Sequence, residues 1–477
     1  MAERIKTDLC VIGAGSGGLS IAAGASQMGA DVVLLEKGKM GGDCLNYGCV
    51  PSKAILAAGK HAKMMSAGAP FGIKAQPLEV DFQRVHDHIH EVIATIEPND
   101  SVERFRALGC NVIEEAGHFI SPTEVQAGDT IIEAKRFVIA TGSSPFVPPI
   151  PGLDEVPYFT NEDIFDNTEL PEHLLIIGGG PIGIEMAQAH HRLGAKVTVL
   201  EGRSTFGKDD PELAAIVMER LRGEGIVIRE GAMVERIAKG KGKQAISITI
   251  KVDGETEIIS GSHLLLAVGR RPNLSGLGLD EGNIEFTDRA ITVGKNLRSV
   301  SNKRVWAAGD VAGQYMFTHV AAYHAGIVIK SMLFRLPATS SMRAAPWVTY
   351  TDPELAHVGM TEAEAREQHS NINVLRFPFH ENDRALAERR DEGLIKVVTE
   401  KNGRILGASI VGPGAGDLLQ PWVLAITNKM KIGKMAGIIA PYPTMGEVSK
   451  RVAGSYFTPK LFSEKTRKIV RFLLRFA

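Results

Sequence analysis

The sequence predicts an α/β protein built on two parallel, doubly wound units, and two observations carry that prediction. One is an internal repeat, in which VIGAGSGGLSIAAGASQMGADVVLLE from Val11 is answered by IIGGGPIGIEMAQAHHRLGAKVTVLE from Ile176. The other is the order of signals inside each copy: a β-branched run, a glycine turn, a helical stretch, and a second strand that closes on a carboxylate. Strand–helix–strand with so short a turn is a βαβ unit of the Rossmann type.

Each glycine turn reads GxGxxG, with Gly13, Gly15 and Gly18 in the first copy and Gly178, Gly180 and Gly183 in the second. The first glycine makes the tight turn, the second lets a pyrophosphate approach the backbone, and the third lets helix pack on strand. The helix N-terminus then faces the anion. Glu36 and Glu201 close the second strands, where a carboxylate accepts hydrogen bonds from ribose hydroxyls. Two such units predict two dinucleotides, and hydride transfer from a nicotinamide to a flavin is the usual traffic between them. Glu201 would repel a 2′-phosphate, so NADH is favoured over NADPH; Arg203, two residues on, works against that preference.

Bulk properties narrow the function classes. With 477 residues, 44% of them hydrophobic and 23% charged, the chain is long enough for about three globular domains and is not disordered. A net charge of -1 supplies no general field for nucleic acid. The opening MAERIKTDLCVIGAG runs straight into a strand and predicts no secretory leader. No stretch approaches the roughly 18 apolar residues of a membrane span. Four cysteines cannot frame a disulfide scaffold and suit a reducing cytoplasm, where a disulfide tends to be catalytic. Cys10 and Cys110 sit in apolar surroundings and read as core residues.

Cys44 and Cys49 lie in GGDCLNYGCVPSKAIL. Zinc is a poor reading, because two further ligands at matching spacing are absent nearby, and no metal site is predicted. Placed just after the first unit, the pair can lie against a flavin ring. The segment resembles the redox-active signature of the pyridine nucleotide-disulfide oxidoreductases, the family of dihydrolipoamide dehydrogenase, glutathione reductase and mercuric reductase. The resemblance extends over nearly the whole chain: ATGSSP (140–145), AVGRRPN (267–273), AAGDVAG (307–313) and YTDPELAHVGMTE (350–362) follow in the family's order.

That resemblance implies FAD, NAD and a homodimer. It implies that Cys49 faces the flavin as a thiolate and that Cys44 exchanges with substrate, and that Lys53 and Glu185 pair beside the ring. It assigns further cofactor contacts to Lys37, Gly42, Asp43, Gly117, Thr141, Gly142, Ser143, Thr318, Val234 and Gly269. Asp310 would reach the ribityl chain, and His319 would touch the flavin through its backbone, a structural role. His324 is the other nearby candidate for a base, whereas His190 and His191 read as surface residues of the second Rossmann helix. The implied domains are 1–150 with 270–345 for FAD, 151–269 for NAD(P), an α+β interface domain over 346–460, and a tail over 461–477.

The pattern breaks in two places. In APYPTMGEVSKR, Tyr442 stands where dihydrolipoamide dehydrogenases carry the histidine that a partner subunit supplies, while Pro443, Thr444 and Glu447 remain. A tyrosine, with an ordinary pKa of about 10, is a poor acceptor for a thiol proton at neutral pH. Mercuric reductases share the tyrosine but end in a cysteine pair, and this chain ends FLLRFA. Three functions are therefore weighed: exchange with a lipoyl-type dithiol, which is preferred; reduction of a metal ion, quinone or other small oxidant; and a non-catalytic flavin sensor. On a helical wheel of the tail, Phe462, Thr466, Ile469, Val470, Leu473 and Phe476 share one face, with Lys465, Lys468 and Arg475 off it. Packing on the dimer is the commoner use of such a stripe; the concentrated positive charge motivates the hypothesis of peripheral attachment to the cytoplasmic face of a membrane.

Overall fold

The computed structural model describes residues 3–74 and 79–476. It forms two compact units, Met1–Thr205 with Ile226–Met342, and Phe206–Gly225 with Arg343–Ala477.

In the first unit the repeat seen in the sequence extends beyond the glycine turns. A parallel core runs in the order Cys110–Ile113, Val32–Leu35, Glu3–Ile12, Thr130–Ile139, with Val305–Ala307 added beside the last. Their inner stretches, Leu9–Ile12, Val32–Leu35 and Phe137–Ile139, are buried throughout because both faces are covered, one of them by the strand Gly117–Ser121, which leaves no wet side for an alternating pattern. Thr130–Ile139 is ten residues long and serves twice: its first half also pairs antiparallel with Glu124–Ala127, which pairs with Gly117–Ser121. The second copy repeats the plan with Val227–Glu230, Lys196–Glu201, His173–Ile177 and His263–Leu266 in a parallel sheet, and an antiparallel meander Met233–Lys241, Gln244–Val252, Glu255–Gly261. Cys10 and Cys110 are buried in the first core, as their surroundings predict.

The second unit centres on an antiparallel sheet ordered Pro346–Thr349, Glu354–Gly359, Ile405–Gly412, Leu394–Glu400, Ile372–Pro378. The helix Pro211–Glu224 belongs to this unit although its sequence falls within 151–269. Its start is held there by charge: Lys396, only 5% exposed, contacts Asp210 at 2.7 Å, Glu212 at 2.9 Å and Glu362 at 2.6 Å. A buried ammonium is tolerated only with such partners.

One sequence expectation is corrected here. His190 is not on a helix surface but fully buried, its ring 6.0 Å from that of Phe82. The helix Pro181–Arg192 is covered by Cys49–Ser66, where Gly59 lies so close that a Cβ would stand 3.1 Å from the Ala189 carbonyl oxygen. Burial lowers the His190 pKa to about 4, and its Nδ1 bonds the Met186 carbonyl, so it is a neutral core residue. His191 is half-buried.

Candidate redox site and nucleotide cradles

The two glycine turns superimpose in their chemistry. Gly13 and Gly178 have φ of +101° and +114°, and a Cβ on either would stand 2.5 Å or 2.3 Å from the carbonyl oxygen of Ala140 or Ala267. Only glycine meets both demands. A Cβ on Gly18 or Gly183 would fall 1.8 Å or 2.0 Å from the carbonyl oxygen of the first glycine, so the third position lets the helix start close to the strand. The middle glycines are open: nothing lies within 4 Å of a Cβ on Gly180, and Gly15 meets only the Gly42 Cα at 4.0 Å. The open backbone is the space a pyrophosphate requires, at the starts of the helices Ser16–Gln27 and Pro181–Arg192.

Each closing carboxylate is pre-aimed by the turn itself. Glu36 accepts from the Ala14 amide at 2.6 Å and the Gly38 amide at 2.8 Å. Glu201 accepts from Gly179 at 2.7 Å and Arg203 at 2.9 Å. Lys37 and Arg203 both point into solvent-exposed turns, and Val234 is half-buried in the meander next to the second sheet.

Behind the first cradle, three distant segments meet on Arg270. Its Nε donates to the Ser143 hydroxyl at 2.8 Å, Nη1 to Asn161 at 3.1 Å, and Nη2 to Asp43 at 2.8 Å and the Ser143 carbonyl at 2.5 Å. Ser143 in turn donates to Asp310 at 2.5 Å. Burial pushes the Asp310 pKa up, opposed by the Ser143 hydroxyl and Arg270. Next to Ser143, Thr141 and Asn273 exchange hydrogen bonds of 2.8 and 3.0 Å, so that the turns at Gly142 and Gly269 close on one another. Gly117 lies on the meander beneath Leu35. His324 is fully buried with a pKa lowered to about 4 by burial; its Nδ1 accepts from the Gly309 amide, which leaves Nε2–H for Gln314. It therefore fixes the turn carrying Asp310 rather than serving as a base. Sequence reasoning missed Arg270 and Asn161. AVGRRPN contained the first, but nothing local marks Asn161.

The cysteines flank the start of the helix Cys49–Ser66, with Cys49 its first residue and Cys44 in the short helix Gly42–Asn46. Both are free thiols, and each shifts the pKa of the other. Cys49 lies 3.3 Å from the hydroxyl of Thr318, which opens the helix Thr318–Met332, and its pKa falls to about 6. The Cys44 hydrogen bond is the largest cause; burial opposes it, and Thr318 and the Lys53 charge add to it. The Cys44 thiol is pushed up by the same hydrogen bond and by burial. One turn into the helix, Lys53 pairs with Glu185 at 3.0 Å, and the Glu185 side chain is only 6% exposed. His319 stacks on Phe317, with ring centroids 5.2 Å apart. The open glycine cradles and the carboxylates beside them fit two dinucleotides, and the strand ends place the dithiol next to the first.

In the second unit Tyr442 is 68% exposed and donates to Asp383 at 2.9 Å. That bond, with the Asp383 charge, raises the phenol pKa. Glu447 pairs instead with Arg451 at 3.0 Å.

Family models place these observations. The pyridine nucleotide-disulphide oxidoreductase model matches residues 7–325, and that family's dimerisation domain matches 345–453. The chain is 33% identical to a mercuric reductase of Streptomyces lividans over 456 residues, covering 94% of this chain and 96% of that protein. It is equally 33% identical to a dihydrolipoyl dehydrogenase of Geobacillus stearothermophilus over 465 residues, with the same coverage of both. Among solved structures it resembles the Cu(II) complex of the HOCl-induced flavoprotein disulfide reductase RclA from Escherichia coli, with a TM-score of 0.84, 26% identity, and 94% and 99% of the two chains covered. The chain thus belongs to the pyridine nucleotide-disulphide oxidoreductases, enzymes that use FAD and a pyridine nucleotide.

Proposed function

We propose that this enzyme is an NADH-dependent disulfide oxidoreductase of the dihydrolipoamide dehydrogenase type, working as a cytoplasmic homodimer on a lipoyl-type dithiol or disulfide. The observation that carries the reading is the placement of the two thiols: Cys49 opens the helix Cys49–Ser66, 3.3 Å from the Thr318 hydroxyl and one turn before the Lys53–Glu185 pair, a setting that favours thiolate, whereas Cys44 lies outside it in Gly42–Asn46. FAD, which the Gly13–Gly15–Gly18 turn and Glu36 would hold, would supply two-electron transfer between NADH and the Cys44–Cys49 disulfide. Everything else falls to the chain. Lys53, anchored by Glu185, presents a cation where electron density develops. Opening the disulfide leaves Cys49 as the stabilised sulfur and Cys44 as the exchanging one. Cys44, once deprotonated, attacks an acceptor disulfide and releases one thiol; Cys49 then attacks Cys44, releases the second and restores the pair. Two electrons leave NADH and two arrive on the acceptor. A panel of NADH oxidation rates against lipoamide, quinones, oxidised small thiols and Hg(II) tests this reading, and it fails if lipoamide is the slowest acceptor.

A second reading has its own observation. The Tyr442 proton is committed to Asp383, so its phenol oxygen presents lone pairs rather than a donor. That arrangement suits a small electrophile or metal ion better than proton removal from a dithiol, and mercuric reductases are among the relatives. Tyr442→His, which puts an imidazole beside Asp383, should raise dihydrolipoamide oxidation about tenfold, a change of about 1.4 kcal/mol in barrier. An unchanged rate would show that this position does not limit proton transfer.

Nucleotide choice rests on Glu201. The wild type should show a higher kcat/KM for NADH than for NADPH, and Glu201→Ala should narrow the ratio by about tenfold as the repulsion of a 2′-phosphate is removed. A wild-type preference for NADPH would assign the decision to Arg203.

A further inference from the structure

The helix Glu464–Leu473 carries an apolar face that is exposed. No residue of it is buried; Phe472 and Leu473 are 57% and 60% exposed, and Phe462 and Phe476, at its two ends, 67% and 75%. The rings of Phe472 and Phe476 stand 5.1 Å apart and so share one side. At about 100° per residue, Ile469 and Leu473 fall on that side as well, Lys468 and Arg475 flank it, and Arg467 and Arg471 fall opposite, beside Leu474. Lys465 emerges beside Phe472, within the apolar arc rather than off it, where a lysine stem can lie along apolar surface with its ammonium raised to water.

Charge selects the occupant. Residues 458–476 hold six basic side chains and one acidic one, Glu464, in a chain whose overall charge is -1. A helix destined for a protein core or a second copy of this chain has no need of so one-sided a polar face. The match to the family's dimerisation domain ends at residue 453, so the helix lies outside the stretch that match assigns to subunit pairing. No helix among the described residues is long and apolar enough to cross a membrane, so attachment would lie in the plane of a surface. An apolar face flanked by cations is the chemistry of an interfacial helix on anionic lipid.

We propose that Glu464–Leu473 docks this enzyme on an anionic phospholipid surface, its phenylalanines and leucine among the acyl chains and its arginines and lysines at the headgroup phosphates. The proposal does not depend on which acceptor the dithiol serves.

Co-sedimentation of the flavin-loaded full chain decides it, with vesicles of phosphatidylcholine alone and of phosphatidylcholine containing about a third phosphatidylglycerol. The expected result is pelleting with the anionic vesicles, a bound fraction roughly tenfold lower for a chain ending at Thr458, and loss of binding as salt shortens the Debye length. Ile469→Ser with Leu473→Ser keeps every cation at exposed positions and should pellet as weakly as the shortened chain, with flavin absorbance unchanged. Equal pelleting of full and shortened chains, or full binding by the double serine variant, would overturn insertion of this face. Failure of the full chain to pellet, together with light scattering that shows the shortened chain has become monomeric, would instead make the helix a contact between copies and overturn the lipid assignment.

Discussion

Two-electron reduction of the purified enzyme with NADH should produce a long-wavelength absorbance that grows as pH rises through about 6 and is absent below it. The donor for that band would be the Cys49 thiolate, on the reading that it faces the flavin. Its folded pKa is depressed, so the charged form is present above about 6 and is lost as pH falls through that value. The Cys44 hydrogen bond does most to hold it down, followed by Thr318 and Lys53, with burial opposing. Cys49→Ser removes the donor and the disulfide together. The band should vanish, and acceptor turnover should drop by roughly a thousandfold or more, about 4 kcal/mol of barrier. Cys44→Ser separates the two roles: turnover collapses equally, yet the band survives. A band persisting in Cys49→Ser would mean that the dithiol has been assigned wrongly.

What could be read from the sequence was what local chemistry determines. The glycine turns were legible because the first and third glycines answer short-range demands, a positive φ or a carbonyl within 2.5 Å, while the middle one leaves open backbone, and the same demands recur at the same spacing in the second copy. The Arg270 cluster was not, because its partners Asp43, Ser143 and Asn161 lie 227, 127 and 109 residues away and only the folded sheet brings them together. His190 was misread because amphipathic reasoning gives every helix a wet face, and Pro181–Arg192 has another helix there. Tyr442 was visible as a departure, but its partner was not: Asp383, 59 residues earlier, accepts the phenol hydrogen bond while Glu447 pairs with Arg451. The extent of the second unit was hidden for the same reason, since the ion partners of Pro211–Glu224 and its cap, Lys396, Arg376 and Glu392, all come from the C-terminal part of the chain.

Two alanine substitutions three residues apart should fail in opposite ways. In Gly18→Ala the new Cβ would stand 1.8 Å from the Gly13 carbonyl oxygen, and both are backbone-fixed, so strand and helix must separate. Overpacking against backbone costs about 3 kcal/mol or more, and little soluble protein should be recovered. Gly15→Ala meets nothing closer than the Gly42 Cα at 4.0 Å. The apoprotein should therefore fold with a nearly unchanged Tm while its methyl group occupies the path of the pyrophosphate. Flavin affinity should fall by a factor of about 100 or more, near 2.8 kcal/mol, leaving a colourless protein. The second copy provides the control that assigns the cofactors. Gly183→Ala, 2.0 Å from the Gly178 oxygen, should destabilise the fold, whereas Gly180→Ala, with nothing within 4 Å, should stay yellow and raise only the KM for NADH. If Gly180→Ala loses its flavin and Gly15→Ala keeps it, the two cradles have been assigned to the wrong dinucleotides.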